Sequence, residues 1–180
     1  APTVVDIPHN WDDYYGYRQL THGNLHGTAM YEKIFTLDNS LFPISNSSFG
    51  KRYFLRFEGV GTYATVTLNG KDFGRHPVGR TTLTLDVTEA LKPGENRLVV
   101  KAEHPEMIAD MPWVCGGCSS EWGFSEGSQP FGIFRPVTLV ETDEVRIEPF
   151  GVRIWNNEKA DSVFVDLEIK NYSKHLQEIE

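Results

Sequence analysis

The sequence has little of what several protein classes depend on. It contains only two cysteines, so it is not a disulfide-rich secreted scaffold. No apolar run approaches the ~20 residues with which a helix crosses a bilayer, and no signal peptide is visible. Its 17 lysines and arginines are outnumbered by 25 aspartates and glutamates, which leaves a net charge of −8. Without a basic stripe, nucleic acids and membranes are not expected partners.

Sustained helical periodicity is also absent, and short alternating patterns rich in β-branched and aromatic residues occur instead. Such patterns are typical of strands. Asn69-Gly70 lies between two of them and predicts a hairpin, because both turn positions favour positive φ. A short turn capped by Asp86 or Thr88 is predicted at Asp86–Leu91. Many short strands joined by turns predict a β-sandwich or jelly roll. The predicted strands are Tyr31–Leu37, Arg52–Phe57, Thr62–Leu68, Arg80–Asp86, Asn96–Glu103, Ile133–Glu141, Val145–Trp155 and Val163–Lys170.

Two segments interrupt this strand rhythm. Ile7–Thr28 is rich in Gly, His, Asn and Tyr, and His104–Phe131 combines Gly, Ser and Pro with two tryptophans and both cysteines. A connection as long as the second one is either functional or disordered. Trp113 and Trp122 make it too apolar for a solvated tail. We therefore predict an ordered binding loop at His104–Phe131.

The two cysteines, Cys115 and Cys118, form a C-x-x-C pair inside that loop. The spacing suits half of a zinc site, a redox couple or a small local disulfide, and simple loop cysteines are a further alternative. A structural zinc needs four ligands, for which only His104 and His76 offer themselves as partners. The sequence leaves these alternatives open, and we predict neither a metal site nor a cofactor.

The same loop offers the best generic ligand signal. Aromatic rings stack on the apolar faces of sugars while polar side chains bond the hydroxyl edges. Two carboxylates also occur there, but nothing in the sequence indicates the rigid frame of a catalytic dyad, so no catalytic residue is predicted. The alternative is that the tryptophans anchor the loop to the sandwich. The candidate substrate-binding residues are Trp113, Trp122, Glu121, Glu126, Asn24 and His26.

The end of the chain is predicted to begin a second domain. A boundary falls near Thr142-Asp143, and the remaining segment is too short to bury its own core. The chain starts on Ala1-Pro2 rather than Met and stops at Glu180 directly after a strand-like stretch, so we expect it to be part of a longer protein. The unfinished second domain should leave an apolar surface exposed and prone to association. Its expected members are Val163, Val165, Leu167 and Ile169.

Three stretches in order resemble the N-terminal domain of glycoside hydrolase family 2, the group of β-galactosidases, β-glucuronidases and β-mannosidases. The first is D-I-P-H-N-W at Asp6–Trp11, and the second is F-E-G-V-G…V-T-L-N-G within Tyr53–Gly70. Gly74 and N-R-L-V-V-K at Asn96–Lys101 follow it. The third is G-I-F-R-P-V-T-L at Gly132–Leu139. The resemblance covers residues 1 to about 142.

The resemblance implies a galactose-binding-domain-like jelly roll at residues 1–142, followed at 143–180 by the first strands of an immunoglobulin-like β-sandwich. The parent protein would be a retaining β-glycosidase whose catalytic glutamates lie on a downstream barrel. Glu126, six positions before the Gly of G-I-F-R, matches an acidic residue that approaches the sugar. Asn24 lies near the place of a second contact, with His26 closer to the following strand.

Taken together, the sequence predicts the non-catalytic, sugar-binding and scaffold part of a family 2 β-glycosidase. Its expected partners are a β-linked glycoside and the downstream barrel of the same chain. The alternatives are an autonomous carbohydrate-binding module and a structural or oligomer-contact domain. We expect a secreted or periplasmic protein, with the cytoplasm as the alternative compartment.

Overall fold

Nine strands make up the regular structure of the residues that the structure describes. The computed structural model describes residues 2–12, 25–38, 50–105 and 130–173. Within those ranges no helix has the length and apolar character needed to cross a membrane. The strands are β1 (Gly27–Leu37), β2 (Lys51–Phe57), β3 (Val60–Leu68), β4 (Lys71–Gly79), β5 (Leu83–Asp86), β6 (Gly94–His104), β7 (Val137–Asp143), β8 (Val145–Asn156) and β9 (Val163–Asn171).

The strands form three antiparallel sheets. One sheet has the order β1-β6-β3-β4 and a second the order β5-β2-β7, while β8 and β9 form a separate ribbon. The first two sheets share one hydrophobic core. The all-β sandwich that the sequence predicted is therefore confirmed.

Period-2 alternation explains which side chains fill this core. On β2, Leu55 and Phe57 point inward, and on β3, Val66 and Leu68 do so. Thr65 and Thr67 alternate with the buried Ala64, Val66 and Leu68, so they point to the outer face of β3. On β6 the buried series is Asn96, Leu98, Val100, Ala102 and His104.

The predicted hairpin at Asn69-Gly70 is confirmed. Leu68 pairs with Lys71, and Asn69 and Gly70 have φ values of 52° and 86°. The Asn69 side chain donates to Asn96 Oδ1 at 2.7 Å and accepts the Arg97 N–H at 2.9 Å. These asparagines therefore hold two neighbouring turns together instead of facing a ligand.

Several predicted strand boundaries differ from the structure, most of all at the starts of β1, β5 and β7. β1 begins at Gly27, four residues before the predicted start at Tyr31. β4, the second strand of the predicted hairpin, runs to Gly79 and has no counterpart among the predicted strand ranges. β5 begins at Leu83, because Thr81 N–H and Oγ1 both donate to the Val78 carbonyl and close a turn. β7 begins only at Val137, because the preceding segment packs against β3 in an irregular conformation with Gly132 at φ 77°.

The predicted turn at Asp86–Leu91 is present and is capped by Asp86. Asp86 Oδ1 accepts the Thr88 N–H at 3.1 Å and its hydroxyl at 2.7 Å. Arg52 on β2 also pairs with the Asp86 carboxylate. Burial alone would raise the pKa of Asp86, but these hydrogen bonds outweigh it and lower the pKa.

An arginine–aromatic cluster attaches the β8–β9 ribbon to the sandwich. Phe54, on the outer face of β2, is only 2% exposed because the Arg146 guanidinium lies 3.5 Å from its ring centroid. Arg146 also bonds both carboxylate oxygens of Glu148, at 3.2 and 3.0 Å. Tyr172 completes the cluster, since its hydroxyl donates to Glu148 at 2.8 Å and its ring packs edge-on against Phe54. Burial would raise the pKa of Glu148, but bonds from Arg146 and Tyr172 hold it below its usual value.

One face of the β8–β9 ribbon is apolar and exposed. Val152 pairs with Leu167 and Ile154 with Val165, so these side chains lie on one face. Every residue of β9 is exposed. The prediction of exposed apolar residues is thus confirmed, while the assignment of residues 143–180 to an immunoglobulin-like domain stays a prediction. The exposed members from the predicted set are Val163, Val165, Leu167 and Ile169.

This apolar face should make the isolated chain associate. We expect Val165→Lys to reduce concentration-dependent association, measured by sedimentation velocity, because a charge would then have to be desolvated in the contact. Val4→Lys is the matched control, since Val4 is 98% exposed at another place on the surface. Equal effects of both substitutions would show that charge in general, and not this face, controls association.

Candidate functional site

Three motif-bearing stretches that lie far apart in the sequence meet at one end of the sandwich. The Gly61 N–H donates to the Gly132 carbonyl at 3.0 Å, which joins β3 to the segment 130–136. The His9 N–H donates to the Ile133 carbonyl at 2.7 Å and brings in the N-terminal segment. Asn10 Oδ1 accepts the Phe131 N–H at 3.3 Å. All three stretches that carry the family resemblance therefore contribute to the same end of the fold.

Two glycines make this close approach possible. A Cβ at Gly61 would overlap the backbone carbonyl of Pro130. A Cβ at Gly132 would overlap the Tyr31 hydroxyl and lie 2.9 Å from the His9 carbonyl oxygen. Gly132 also has the positive φ that other residues rarely adopt. The glycines of these motifs thus have a packing role.

Four rings form an aromatic–histidine cluster at this end: Trp11, His26, His104 and Phe131. Phe131 is fully buried at the centre, with ring-centroid distances of 4.2 Å to His104, 5.6 Å to Trp11 and 6.1 Å to His26. Because Phe131 fills the space between them, the two histidines are held by packing as well as by hydrogen bonds.

The two histidines of the cluster bond to each other. His26 Nδ1 and His104 Nδ1 are 3.0 Å apart. His104 is 1% exposed, and its Nε2 has no hydrogen-bond partner among the residues that the structure describes. Burial and the nearby His26 ring lower the pKa of His104 to about 4. His104 is therefore neutral at physiological pH.

The backbone next to His26 is held from both sides. Trp11 Nε1 donates to the Leu25 carbonyl at 2.9 Å, and the Leu25 N–H donates to Asp12 Oδ2 at 3.2 Å. Asp12 is itself 3% exposed. These bonds orient the chain where it enters β1, so that the imidazole of His26 reaches the end of β6.

A second contact fixes the N-terminal segment to β1. His9 Nδ1 lies 2.8 Å from the Tyr31 hydroxyl, with the rings edge to face. Burial raises the pKa of Tyr31, and a backbone hydrogen bond with Ile133 partly offsets this. The phenol therefore stays protonated and serves as a hydrogen-bonding group in the packing around Gly132.

A polar cavity of about 230 Å³ lies beside the aromatic–histidine cluster. Its walls include His26, His104, Arg75 and Glu103. Glu103 pairs with Arg75 at 3.2 Å and with Lys101 at 3.0 Å. Burial would raise the pKa of Glu103, but these two cations outweigh it and lower the pKa. The cavity therefore presents charged and imidazole groups that suit a ligand rich in hydroxyls.

A larger groove of about 800 Å³ runs between β1 on one side and β2 and β7 on the other. Its walls are mainly apolar and include Phe35, Leu55 and Leu139, with the N-terminal segment along its rim. It lacks the concentration of polar groups that the smaller cavity has, so we do not place the candidate site there.

The structure describes one of the six predicted substrate-binding residues, His26, and places it in the aromatic–histidine cluster. The other predicted positions lie in segments 13–24 and 106–129, which are outside the described residues. So does the Cys115–Cys118 pair. The residues concerned are Asn24, Trp113, Glu121, Trp122 and Glu126.

The two histidines considered as zinc partners of the cysteine pair have other contacts in the described part of the chain, and the cysteines themselves lie outside it. His104 bonds His26, and His76 Nε2 lies 2.7 Å from the Phe73 carbonyl. Among the described residues, no three His, Cys, Asp or Glu side chains are grouped to hold a metal ion.

Sequence reasoning missed His104 and Phe131 as members of the cluster. A signal for His104 was present, because it occupies the position after Leu98, Val100 and Ala102 in the alternation of β6. A histidine at an inward-facing position needs a partner. No pattern indicated that the partner would be His26, which lies 78 positions away.

Comparison with known proteins agrees with this geometry. Residues 12–111, more than half of the chain, match the family model described as glycosyl hydrolase 2 galactose-binding domain-like. A β-glucuronidase from Bacteroides fragilis is 34% identical over 147 residues, which are 81% of this chain and 18% of that protein. The β-galactosidase BoGH2A from Bacteroides ovatus is 27% identical over 158 residues, 84% of this chain and 16% of that protein.

A solved structure shares the fold. The crystal structure of a β-glycosidase from Bacteroides vulgatus matches with a TM-score of 0.68 at 24% identity, over 95% of this chain and 21% of that chain. This chain thus spans less than a fifth of the length of the two curated relatives. It belongs to the glycosyl hydrolase 2 galactose-binding domain-like family.

Proposed function

We propose that this chain is the non-catalytic N-terminal, sugar-binding and scaffold part of a family 2 β-glycosidase, and that it contributes to the substrate pocket. The observation that supports this most directly is the polar cavity beside the aromatic–histidine cluster. Segments 13–24 and 106–129 join the described chain at Leu25 and Pro105, next to the two histidines. The predicted sugar contacts thus belong to stretches that begin or end at this cavity.

His26 is the described residue that we propose to contact the sugar. It lines the cavity, and its Nδ1 is bonded to His104, so its remaining ring nitrogen can serve a hydroxyl group. The further contacts proposed from the sequence are Asn24, Trp113, Glu121, Trp122 and Glu126. A secreted or periplasmic location stays a prediction.

Chemistry would come from the downstream catalytic barrel of the same parent chain. We therefore expect the isolated chain to hydrolyse no nitrophenyl β-galactoside, β-glucuronide or β-mannoside. In the full-length protein that carries it, His26→Ala should lower kcat/KM about three- to tenfold, because a hydrogen bond to the substrate is lost. Both measurements use the release of nitrophenol.

His76→Ala is the matched control in the full-length protein, since His76 bonds the Phe73 carbonyl and does not line the cavity. Turnover by the isolated chain would contradict the assignment of chemistry to a downstream barrel. Equal kcat/KM values for the two variants would contradict the role of His26 in the pocket.

A second candidate function is autonomous sugar binding, which the polar cavity favours because it lies within this chain. In that case, calorimetric titration of the isolated chain with galactose, glucuronate or mannose oligomers would give saturable heats. Titrations without binding heat would leave the scaffold role within the larger enzyme as the better account.

A further inference from the structure

The geometry of the contact between His26 and His104 limits how many protons the two rings can carry. A hydrogen bond between two Nδ1 atoms 3.0 Å apart needs one N–H donor and one bare nitrogen. At least one ring must therefore be neutral. If both rings were protonated, two N–H groups and two positive charges would face each other, and the contact would become repulsive.

The surroundings of His104 do not favour a second proton. The ring is almost fully buried, packs against Phe131, and has no partner for Nε2 among the described residues. A protonated ring would have to place an N–H donor and a charge in that environment. This costs free energy because burial removes water from the ring, and the backbone hydrogen bonds at His104 and Pro105 offset only part of that loss. The lowered pKa of His104 agrees with the geometry.

The charged groups around the pair do not reverse this preference. Asp12, from the N-terminal segment, favours protonation of His104, but burial and His26 outweigh it. Glu103, the neighbour of His104 on β6, is already neutralised by Lys101 and by Arg75 of β4. Phe131, from the segment before β7, is apolar. Asp12 therefore compensates the pair only in part, and the charge of Glu103 is already engaged by two cations.

The two histidines lie where their protonation can affect the pairing of β1 with β6. His104 is the last residue of β6, and it pairs in register with Gly27, the first residue of β1. The next pair is Thr28 with Glu103. The histidine contact thus closes the end of the β1–β6 ladder, directly beside the cavity.

We propose that the His26–His104 contact is a proton-sensitive clasp between the start of β1 and the end of β6, closed near neutral pH and released in acid. This inference concerns the strands of this chain and does not depend on sugar binding. When the contact is released, β1 and β6 separate at the end next to the cavity, while the opposite end stays paired at Leu37 and Gly94.

Hydrogen exchange of the isolated chain, followed by NMR, tests the clasp. Between pH 7 and pH 4, protection of the amides at 27–29 and 102–104 should fall at least tenfold more than at 35–37 and 94–96, after correction for intrinsic exchange. At pH 7 the imidazole ¹⁵N shifts should show that Nδ1 carries a proton in one of the two rings and none in the other. Equal losses of protection at both ends would overturn the proposal.

Substitutions separate the clasp from general acid sensitivity. His26→Gln retains a donor and an acceptor but never ionises, so the difference between the two ends should shrink to less than threefold. His76→Gln is the control and should keep the wild-type difference, because its ring bonds Phe73 within β4. An unchanged difference in His26→Gln would also overturn the proposal, and the wild-type comparison stands even if a variant folds poorly.

Discussion

Replacing Gly132 with alanine is expected to lower the free energy of unfolding by about 2–4 kcal/mol. Two costs combine at this position. The residue has φ 77°, which places an L side chain in the left-handed region. The new Cβ would also overlap the Tyr31 hydroxyl and approach the His9 carbonyl oxygen to 2.9 Å. Because the His9 oxygen belongs to the backbone, rotation of a side chain cannot relieve the clash.

Gly94→Ala separates the two costs. Gly94 has a nearly identical φ of 79°, but a Cβ there would meet nothing within 4 Å. It should therefore cost only the backbone strain, about 1 kcal/mol. The difference between the two variants measures the packing at Gly132, where the N-terminal segment, β1 and the segment 130–136 meet.

Urea unfolding followed by circular dichroism would give both free energies. The wild-type chain and the two variants should be compared at the same protein concentration, because the exposed face of β8–β9 favours association. If Gly132→Ala and Gly94→Ala destabilise equally, the close approach around Gly132 is not what requires glycine there, and backbone conformation alone would explain it.

The second large effect is expected for Arg146→Met, which should destabilise the β8–β9 ribbon by about 3 kcal/mol or more. Arg146 is a buried cation whose side chain is 8% exposed, and its partner Glu148 is 13% exposed. Removing the guanidinium leaves the carboxylate in that environment with weaker compensation from Tyr172 and from Lys170 at 3.9 Å. It also uncovers the ring of Phe54.

Arg153→Met is the matched control on the same strand. Arg153 is 75% exposed and lies 3.9 Å from Asp166, so its loss should cost less than about 1 kcal/mol. Arg146→Lys should fall between the two, because lysine keeps the charge but loses the bidentate bond and the flat stacking on Phe54.

Hydrogen exchange with mass-spectrometric detection can localise the effect of Arg146. Peptides from 145–171 should lose protection in Arg146→Met, while peptides from β3 and β6 should change little. Uniform loss over the whole chain would mean that the ribbon and the sandwich unfold together. Protection equal to that of Arg153→Met would show that the cluster does not hold the ribbon.

The motif residues show how far sequence reasoning could go. Asn69, Asn96 and Gly132 are parts of the motifs that carry the family resemblance, and each has a structural role in turns or close packing. A motif identifies such residues without distinguishing packing from ligand binding. The contact between His26 and His104 could not be predicted for a different reason, because it depends on which strands become neighbours.

The sequence alone determined that this protein is an all-β sandwich of a recognisable family, since alternation and turn residues act over a few positions and are read directly. It also determined that the β8–β9 segment would expose apolar residues. Only the tertiary structure decided where distant residues meet: Phe131 among two histidines, Arg146 on Phe54, and Gly132 beneath Tyr31. Those contacts depend on strand order and sheet packing, which local patterns do not encode.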